Sequence, residues 1–524
     1  MDASSVVPGR ARGRREKPRL LTASARHRTT NHPLRSGTWP CASDRRHPLL
    51  RRSHRCESFP AIATGWFDFP GGGIGMSNGA TKAPVSQIVV GVVIAALVAG
   101  VAGYWAGTQR GGGMAKAEER KLEIFHWWTA GGEREAADAM FKALKAKYPD
   151  IQLVENPVAG GGGVSHRVVL QARLSANLPP DTWQTLGGAE LKSYVDGGYL
   201  VPLDSLYTEI KYSDAIPKPL ANAVTIGGHP YVVPLNMHIQ NILYYNKKLF
   251  DELGLKPPTT FDELLAAAKA IKAARPKMSP LGLGTKEKWE AAFVLDSLLL
   301  ELGGPEYYVK LYKGEVDVAT DPIFKAALDR LNTLRPFTYQ FHAGLTWDES
   351  CGLVVSGDSA MVIMGTWAIG YFKSRGWNPG VDFGAVTFPQ KPDRILLFHP
   401  DTYGLAKGAP HPKATLDWLK VVASPDLQVP TDVTQGGLFA RIDIDPGQFP
   451  DPIRQELQNY VRSNPGKLIL DQHGSIAPFS FTQAYWDVAA AFTAKPDVAG
   501  TVKGVNGLFT TYKVQEGAAW YQWP

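Results

Sequence analysis

Two adjacent tryptophans, Trp127 and Trp128, close an apolar run that begins at Leu122. Trp367 stands just past the apolar run Met361–Met364 and Gly365. Ligands of open α/β sheets sit at the carboxyl ends of strands, so indoles placed there can cover a flat apolar ligand face. Neighbouring residues of an extended chain point to opposite sides. One of the pair, Trp128, is therefore expected to face a cleft while Trp127 packs inward; core packing of both is the competing reading. Trp347, within Gly344–Asp348, and Trp289, within Lys286–Glu290, are further candidate plates. Trp347 also reads as helix packing, and Trp289, set among charges, as a half-exposed rim or surface helix residue.

The motifs of covalent, nucleotide or metal chemistry fail. Gly160–Gly163 suggests a phosphate loop, but no Gly-Lys-Ser/Thr follows, so it reads as a mobile turn ahead of a helix. Asp443, Asp445 and Asp451 lack the glycine and closing glutamate of a calcium loop and read as a turn cluster. HExxH, GxSxG and a strand-to-helix GxGxxG are all missing. Cys41 and Cys56 lie near the amino terminus and only Cys351 lies in the body, so neither a body disulfide nor a Cys/His metal site is expected. No cofactor is called for.

The elements that must position the indoles alternate. Strands are expected at Leu122–Trp127, Ile151–Glu155, Asp181–Thr185, Met361–Met364 and Tyr403–Ala406. Helices are expected at Glu133–Tyr148, Val164–Ala176, Phe261–Ala274 and Lys413–Ala423. Such alternation implies parallel βαβ units and an α/β fold.

The net charge of +7 over 524 residues misleads as a single number. Residues 1–86 hold 15 Lys and Arg against 5 Asp and Glu, whereas the remainder holds 41 against 44. Basicity is thus a property of the leader, and a nucleic-acid-binding body is not indicated. Residues 1–75 are rich in Arg, Ser and Pro without helical or strand periodicity, and read as a disordered leader or a misplaced start, with Met76 as the natural first residue. Ile88–Ala106 is uncharged for 19 residues, enough for one membrane crossing at about 20 residues. Lys82 before it and Tyr104–Trp105 at its end suit an uncleaved anchor spanning 76–107. Residues 108–119, with Gly111–Gly113, then form a tether, and the body faces outward.

Six segments, in order, carry a family resemblance. They are Leu122–Tyr148, Pro180–Gln184 (PDTWQ), Gly198–Leu206 (GYLVPLDSL), Tyr231–Lys247 (YVVPLNMHIQNILYYNK), Pro258–Leu264 (PTTFDEL) and Gly357–Tyr371 (GDSAMVIMGTWAIGY). Together they resemble the extracellular solute-binding proteins of ATP-binding-cassette sugar importers, the glucose/mannose-type receptors in particular. The resemblance implies a periplasmic-binding-protein-like fold of two α/β lobes joined by hinge strands. The first lobe would comprise 120–236 and 399–437, the second 243–395 and 441–524. Crossings would fall near Met237–Leu243, Leu396–Tyr403 and Gly436–Arg441.

It also implies the ligand. A pyranose offers C–H patches on its faces and hydroxyls on its rim, which call for aromatic plates and a few aimed polar groups. Carried over, the polar set is Gln184, Asn236 and His238, then Asp401, Arg441 and His473, with Glu133 at the start of the first helix. Glu133 reads equally as a first-turn acid favoured by the helix dipole, Arg441 as a hinge brace, and His399 as structural or exposed. Leu186 stands where glucose-type relatives often carry His, so the sugar stays open. Expected partners are a mono- or disaccharide, permease subunits and the membrane through the anchor, with the protein acting as a monomer. The rivals are a polyamine or phosphate-ester receptor of the same fold, and a secreted carbohydrate-active enzyme.

Overall fold

The computed structural model describes residues 120–515. The leader, the Ile88–Ala106 segment and the glycine tether lie outside the described residues. Among the described residues no helix is long and apolar enough to cross a membrane.

The strands are β1 (Lys121–His126), β2 (Gln152–Pro157), β3 (Thr182–Leu186), β4 (Thr225–Ile226), β5 (His229–Pro230), β6 (Val232–Pro234), β7 (Asn236–Ile239), β8 (Ile242–Asn246), β9 (Ser279–Gly282), β10 (Ser359–Met364), β11 (Phe383–Thr387), β12 (Leu396–His399), β13 (Asp401–Gly404), β14 (Leu438–Phe439) and β15 (Leu468–Leu470). They form a five-stranded sheet in the order β2-β1-β3-β13-β6 and a four-stranded sheet in the order β11-β8-β10-β9. A third sheet, β14-β7-β12-β15, lies at the connections between them, and β4 pairs β5 in a hairpin. Each of the two large sheets is the centre of one lobe.

The amino-terminal part folds as the alternation predicts. β1 pairs β2 and β3 in parallel. The helix Gly132–Lys147 returns the chain between β1 and β2, burying Ala136, Met140 and Leu144 at a spacing of four. Helix Val164–Ser175 links β2 to β3, burying Leu170 and Leu174. Two expectations shift. The strand expected at Tyr403–Ala406 begins at Asp401, because its register is set by antiparallel pairing to β3 and β6 rather than by its own apolar residues. The return strands are antiparallel to their neighbours, so the sheets are mixed rather than built of βαβ units alone.

The crossings follow from this pairing. β12 and β13 are separated by Pro400 alone, so one short turn carries the chain from the connecting sheet into the five-stranded sheet. Helix Pro425–Gln435 packs on Gly132–Lys147 and ends at Gly436, whose φ of 109° favours glycine. Its last turn is held by Arg454, which is fully buried. Arg454 donates to the Asp432 carbonyl at 2.5 Å and to the Asp451 carboxylate at 2.8 Å. Asp443, Asp445 and Asp451 do serve turns and pairs: Asp443 binds Arg441, Asp445 accepts from the Gly447 amide, and Asp451 caps a helix and binds Arg454.

Arg454→Met strips Asp451 of its buried partner, which for such pairs costs about 3–5 kcal/mol. Urea unfolding of the variant is expected to show that loss; a change below about 1 kcal/mol would contradict the role given to the pair.

Candidate functional site

β1, β3, β10 and β12 end, and β13 begins, at one place between the lobes. There the side chains of Trp127, Trp128, Glu133, Leu186, His238, Trp289, Trp347, Trp367, His399, Asp401, Gln435 and His473, with Gly162, line a narrow, partly open cavity with free room of about 20 Å³. Nine of the twelve residues singled out from the sequence line it.

Trp127 and Trp128 both face the cavity, where strand alternation assigns one of them to the core. The extended chain ends at His126: the Trp128 amide donates to the His126 Nδ1 at 3.2 Å and turns the backbone out of line. Trp367, 7% exposed, is the hub of the wall. Its ring centroid lies 5.3 Å from His238, 5.6 Å from His399, 5.9 Å from both Trp289 and Phe293, and 6.5 Å from Trp347. Most of these contacts are edge-to-face, the arrangement that indole and imidazole quadrupoles favour. Trp289 is 1% exposed, so the half-exposed rim position expected for it is wrong. Its ring packs on Phe293 and His473, although the adjacent Glu290 is buried as well. Trp347 opens a helix with a Thr346–Glu349 capping box, which fixes its ring at the cavity edge.

The polar groups form two chains. Asp401 accepts from the Gln184 amide at 2.7 Å through Oδ1 and from His238 Nε2 at 3.1 Å through Oδ2. Gln184 in turn accepts from the Trp127 amide at 3.1 Å, and Asn236 accepts from the Asp401 amide at 3.2 Å. Gln184 and Asn236 therefore stand behind the cavity and orient Asp401 and Trp127. Burial pushes the Asp401 carboxyl up, but the His238 hydrogen bond, the imidazoles of His238 and His399, and the Gln184 amide together hold it below its ordinary value. An ionised Asp401 only accepts, so His238 carries its proton on Nε2. Its Nδ1 accepts from the Thr366 hydroxyl at 3.0 Å, and that oxygen accepts from the Ile239 amide at 3.3 Å.

In the second chain Asp471 binds His399 Nδ1 at 2.5 Å and accepts from the His473 amide at 3.0 Å. This places both imidazoles on the cavity wall. His473 Nδ1 and Trp289 Nε1 are buried there without a hydrogen-bond partner. Burial lowers the value of His238, and burial followed by repulsion from His399, Arg167 and His238 carries His473 well below the imidazole range. Glu133 moves the other way: burial first, then the charges of Asp401, Glu287 and Asp348, push it well above the usual carboxylate range. A carboxyl so raised can donate as well as accept.

Arg441 does not reach the cavity. Its guanidinium donates to Asp443 and to the Ala423 carbonyl and lies over Tyr212, so it braces the loop after β14. Sequence reasoning left out Gln435 and Gly162 and read His399 as structural or exposed. His399 pairs His238 across β12 and β7, a register that no local pattern announces. Among the described residues no group of His, Cys, Asp and Glu is arranged to hold a metal ion. The set as a whole offers broad aromatic faces, one fixed acceptor, one donor-acceptor carboxyl and two free ring nitrogens.

Comparison with known proteins agrees with this chemistry. The family described as bacterial extracellular solute-binding protein matches residues 130–429. An uncharacterised ABC transporter extracellular-binding protein of Pyrococcus horikoshii is 36% identical over 417 residues, covering 79% of this chain and 93% of that protein. A probable sugar-binding periplasmic protein of Brucella melitensis is 30% identical over 383 residues, covering 72% and 88%. Among solved structures, a chitin oligosaccharide binding protein superposes with a TM-score of 0.67 at 20% identity, covering 77% of this chain and all of that one, which is a likeness of fold.

The lowered values of His238 and His473 fix a sign. Neutral buried rings stabilise the fold fully above the unfolded imidazole value near 6.5, and the contribution fades as pH falls toward the folded values, at up to about 1.4 kcal/mol per pH unit for each ring. Nitrogen-15 spectra at pH 6 are expected to show both rings neutral, with His238 protonated on Nε2; doubly protonated rings at that pH would contradict the assignment.

Proposed function

From the premise that the chain belongs to the bacterial extracellular solute-binding family, we propose that it is the sugar-binding component of an ABC transporter, capturing a saccharide outside the membrane for the permease. The observation that carries the reading is the cavity between the lobes, walled by five indoles with Asp401 fixed at its back. The names of curated relatives support the ligand class: besides the Brucella protein, a xylose/arabinose-binding protein of Haloferax volcanii is 23% identical over 346 residues. The protein is a receptor and not an enzyme, as its family is.

In this reading Trp127, Trp128, Trp289, Trp347 and Trp367 cover the carbon-rich faces of the sugar. Asp401 accepts from its hydroxyls as an ionised and therefore strong acceptor, while Glu133, His238 and His473 serve the rest of the rim. Gln184 and Asn236 position Asp401, and Arg441 braces the connection. The first lobe is 120–236 with 399–437, and the second 243–395 with 441–524. Contact with both lobes favours the closed arrangement, and closure presents both to the permease. The Ile88–Ala106 segment anchors the chain, which works as a monomer on the outer face of the membrane. A polyamine fits less well, because a dication asks for several ionised acids between aromatic plates and Glu133 is biased toward its neutral form.

Titration calorimetry against glucose, galactose, mannose, xylose, maltose, cellobiose and spermidine tests this. At least one sugar is expected to bind with a micromolar or lower Kd. Trp367→Ala is expected to weaken it by about 30-fold or more, the size of a central aromatic contact. Binding of spermidine alone, or of nothing, would overturn the sugar assignment.

A further inference from the structure

The Gly160–Gly163 run finds no use as a phosphate loop, and it is no free turn either. Gly161–Gly163 form a single 3-10 turn that enters helix Val164–Ser175. Its base is built into the first lobe: Arg167, 5% exposed, donates to the Gly162 carbonyl through Nη1 and to Glu190 through Nε at 2.8 Å. Glu190 in turn accepts from Thr185 at 2.9 Å, directly before cavity residue Leu186.

The tip of the turn meets the other lobe. The Gly161 amide donates to Glu287 Oε1 at 2.8 Å. Glu287 lies between β9 and the helix that begins at Trp289, and its Oε2 reaches the amide of Trp347 at 3.5 Å. One carboxylate thus joins the turn of the first lobe to a cavity tryptophan of the second. Gly162 is itself part of the cavity wall. Its φ is +62°, and a Cβ there would lie 2.8 Å from His473 Nε2 and 3.3 Å from Trp289 Nε1. A Cβ on Gly161 would lie 2.4 Å from Glu287 Oε1. Both glycines are needed for this approach. Trp289 Nε1, buried without a hydrogen-bond partner, borders the same spot, and the His473 ring faces it with its Nε2 edge.

We infer that the Gly160–Gly163 turn is the first lobe's closing wall over the bound sugar, with Gly162 setting the room beside Trp289 and His473 and Glu287 as the positioning residue that holds the wall shut. The inference rests on the sugar reading. It assigns the space beside Gly162 to a sugar hydroxyl, which Trp289 Nε1 serves once the wall has closed. Glu287 touches no ligand; it acts through the Gly161 amide and the Trp347 backbone. Closure contacts form after encounter, so their loss speeds dissociation and leaves association nearly unchanged.

Stopped-flow tryptophan fluorescence on the full chain tests it, with the panel sugar that the unaltered protein binds tightest. Gly162→Ala and Glu287→Ala are each expected to raise the dissociation rate about tenfold or more, with association within twofold. Glu287→Gln keeps an acceptor for the Gly161 amide and is expected to recover most of the slow dissociation. Gly228→Ala, at a φ of +87° with open space around it, controls for the general cost of replacing a left-handed glycine and is expected to dissociate at the original rate. Should Gly162→Ala not fold, the Glu287 pair decides alone. Normal sugar binding with unchanged dissociation in Glu287→Ala overturns the closing-wall inference only. Failure of the unaltered protein to bind any sugar overturns the sugar reading, and this inference with it.

Discussion

A saccharide can leave water only if its carbon-rich faces meet apolar plates while each hydroxyl finds a partner, since an unmet buried hydroxyl costs about 1–3 kcal/mol. No single sheet edge supplies both. Here Trp127 and Trp128 come from the end of a strand in the first lobe, and Trp289, Trp347 and Trp367 from the second. Trp367 touches rings from the second lobe and from the connecting sheet. The site takes lining residues from both lobes and is complete only where they meet.

The connecting sheet gives the arrangement its precision. β7 and β12 lie side by side, so His238 and His399 are register partners, and Asp401 follows them past Pro400. Every hydrogen-bonding atom of the His238 ring is used, one nitrogen on Asp401 and the other on Thr366. Asp471 holds the His399 ring through Nδ1 and the His473 backbone through its amide. A buried carboxylate held by neutral donors is rigid and ready to accept. The burial that would otherwise protonate it is offset by bonds already in place.

Much of this was legible because it is local. The helix periodicity of Ala136, Met140 and Leu144, the tryptophans at strand ends and the order of six family-like segments are all properties of short stretches. What escaped depends on pairing across long separations. Trp127 and Trp128 share a face because a histidine ring two residues back ends the strand. Trp289 is buried because Phe293 and His473 enclose it, although its sequence neighbours are charged. Gln184 and Asn236 lie one layer behind the cavity, a distinction of a few ångströms that no spacing encodes. Arg441 was drawn to the site by its place after a crossing, and Asp443, two residues on, claims it instead.

A crystal structure of the protein with its tightest-binding sugar tests the central claim most directly. The account predicts a sugar ring between the Trp127–Trp128 pair and Trp367, with a hydroxyl pair on Asp401 and density from both lobes closed around it. A sugar bound elsewhere, for instance in the second-lobe groove between Arg335 and His342, with the space between the tryptophans empty, would contradict it.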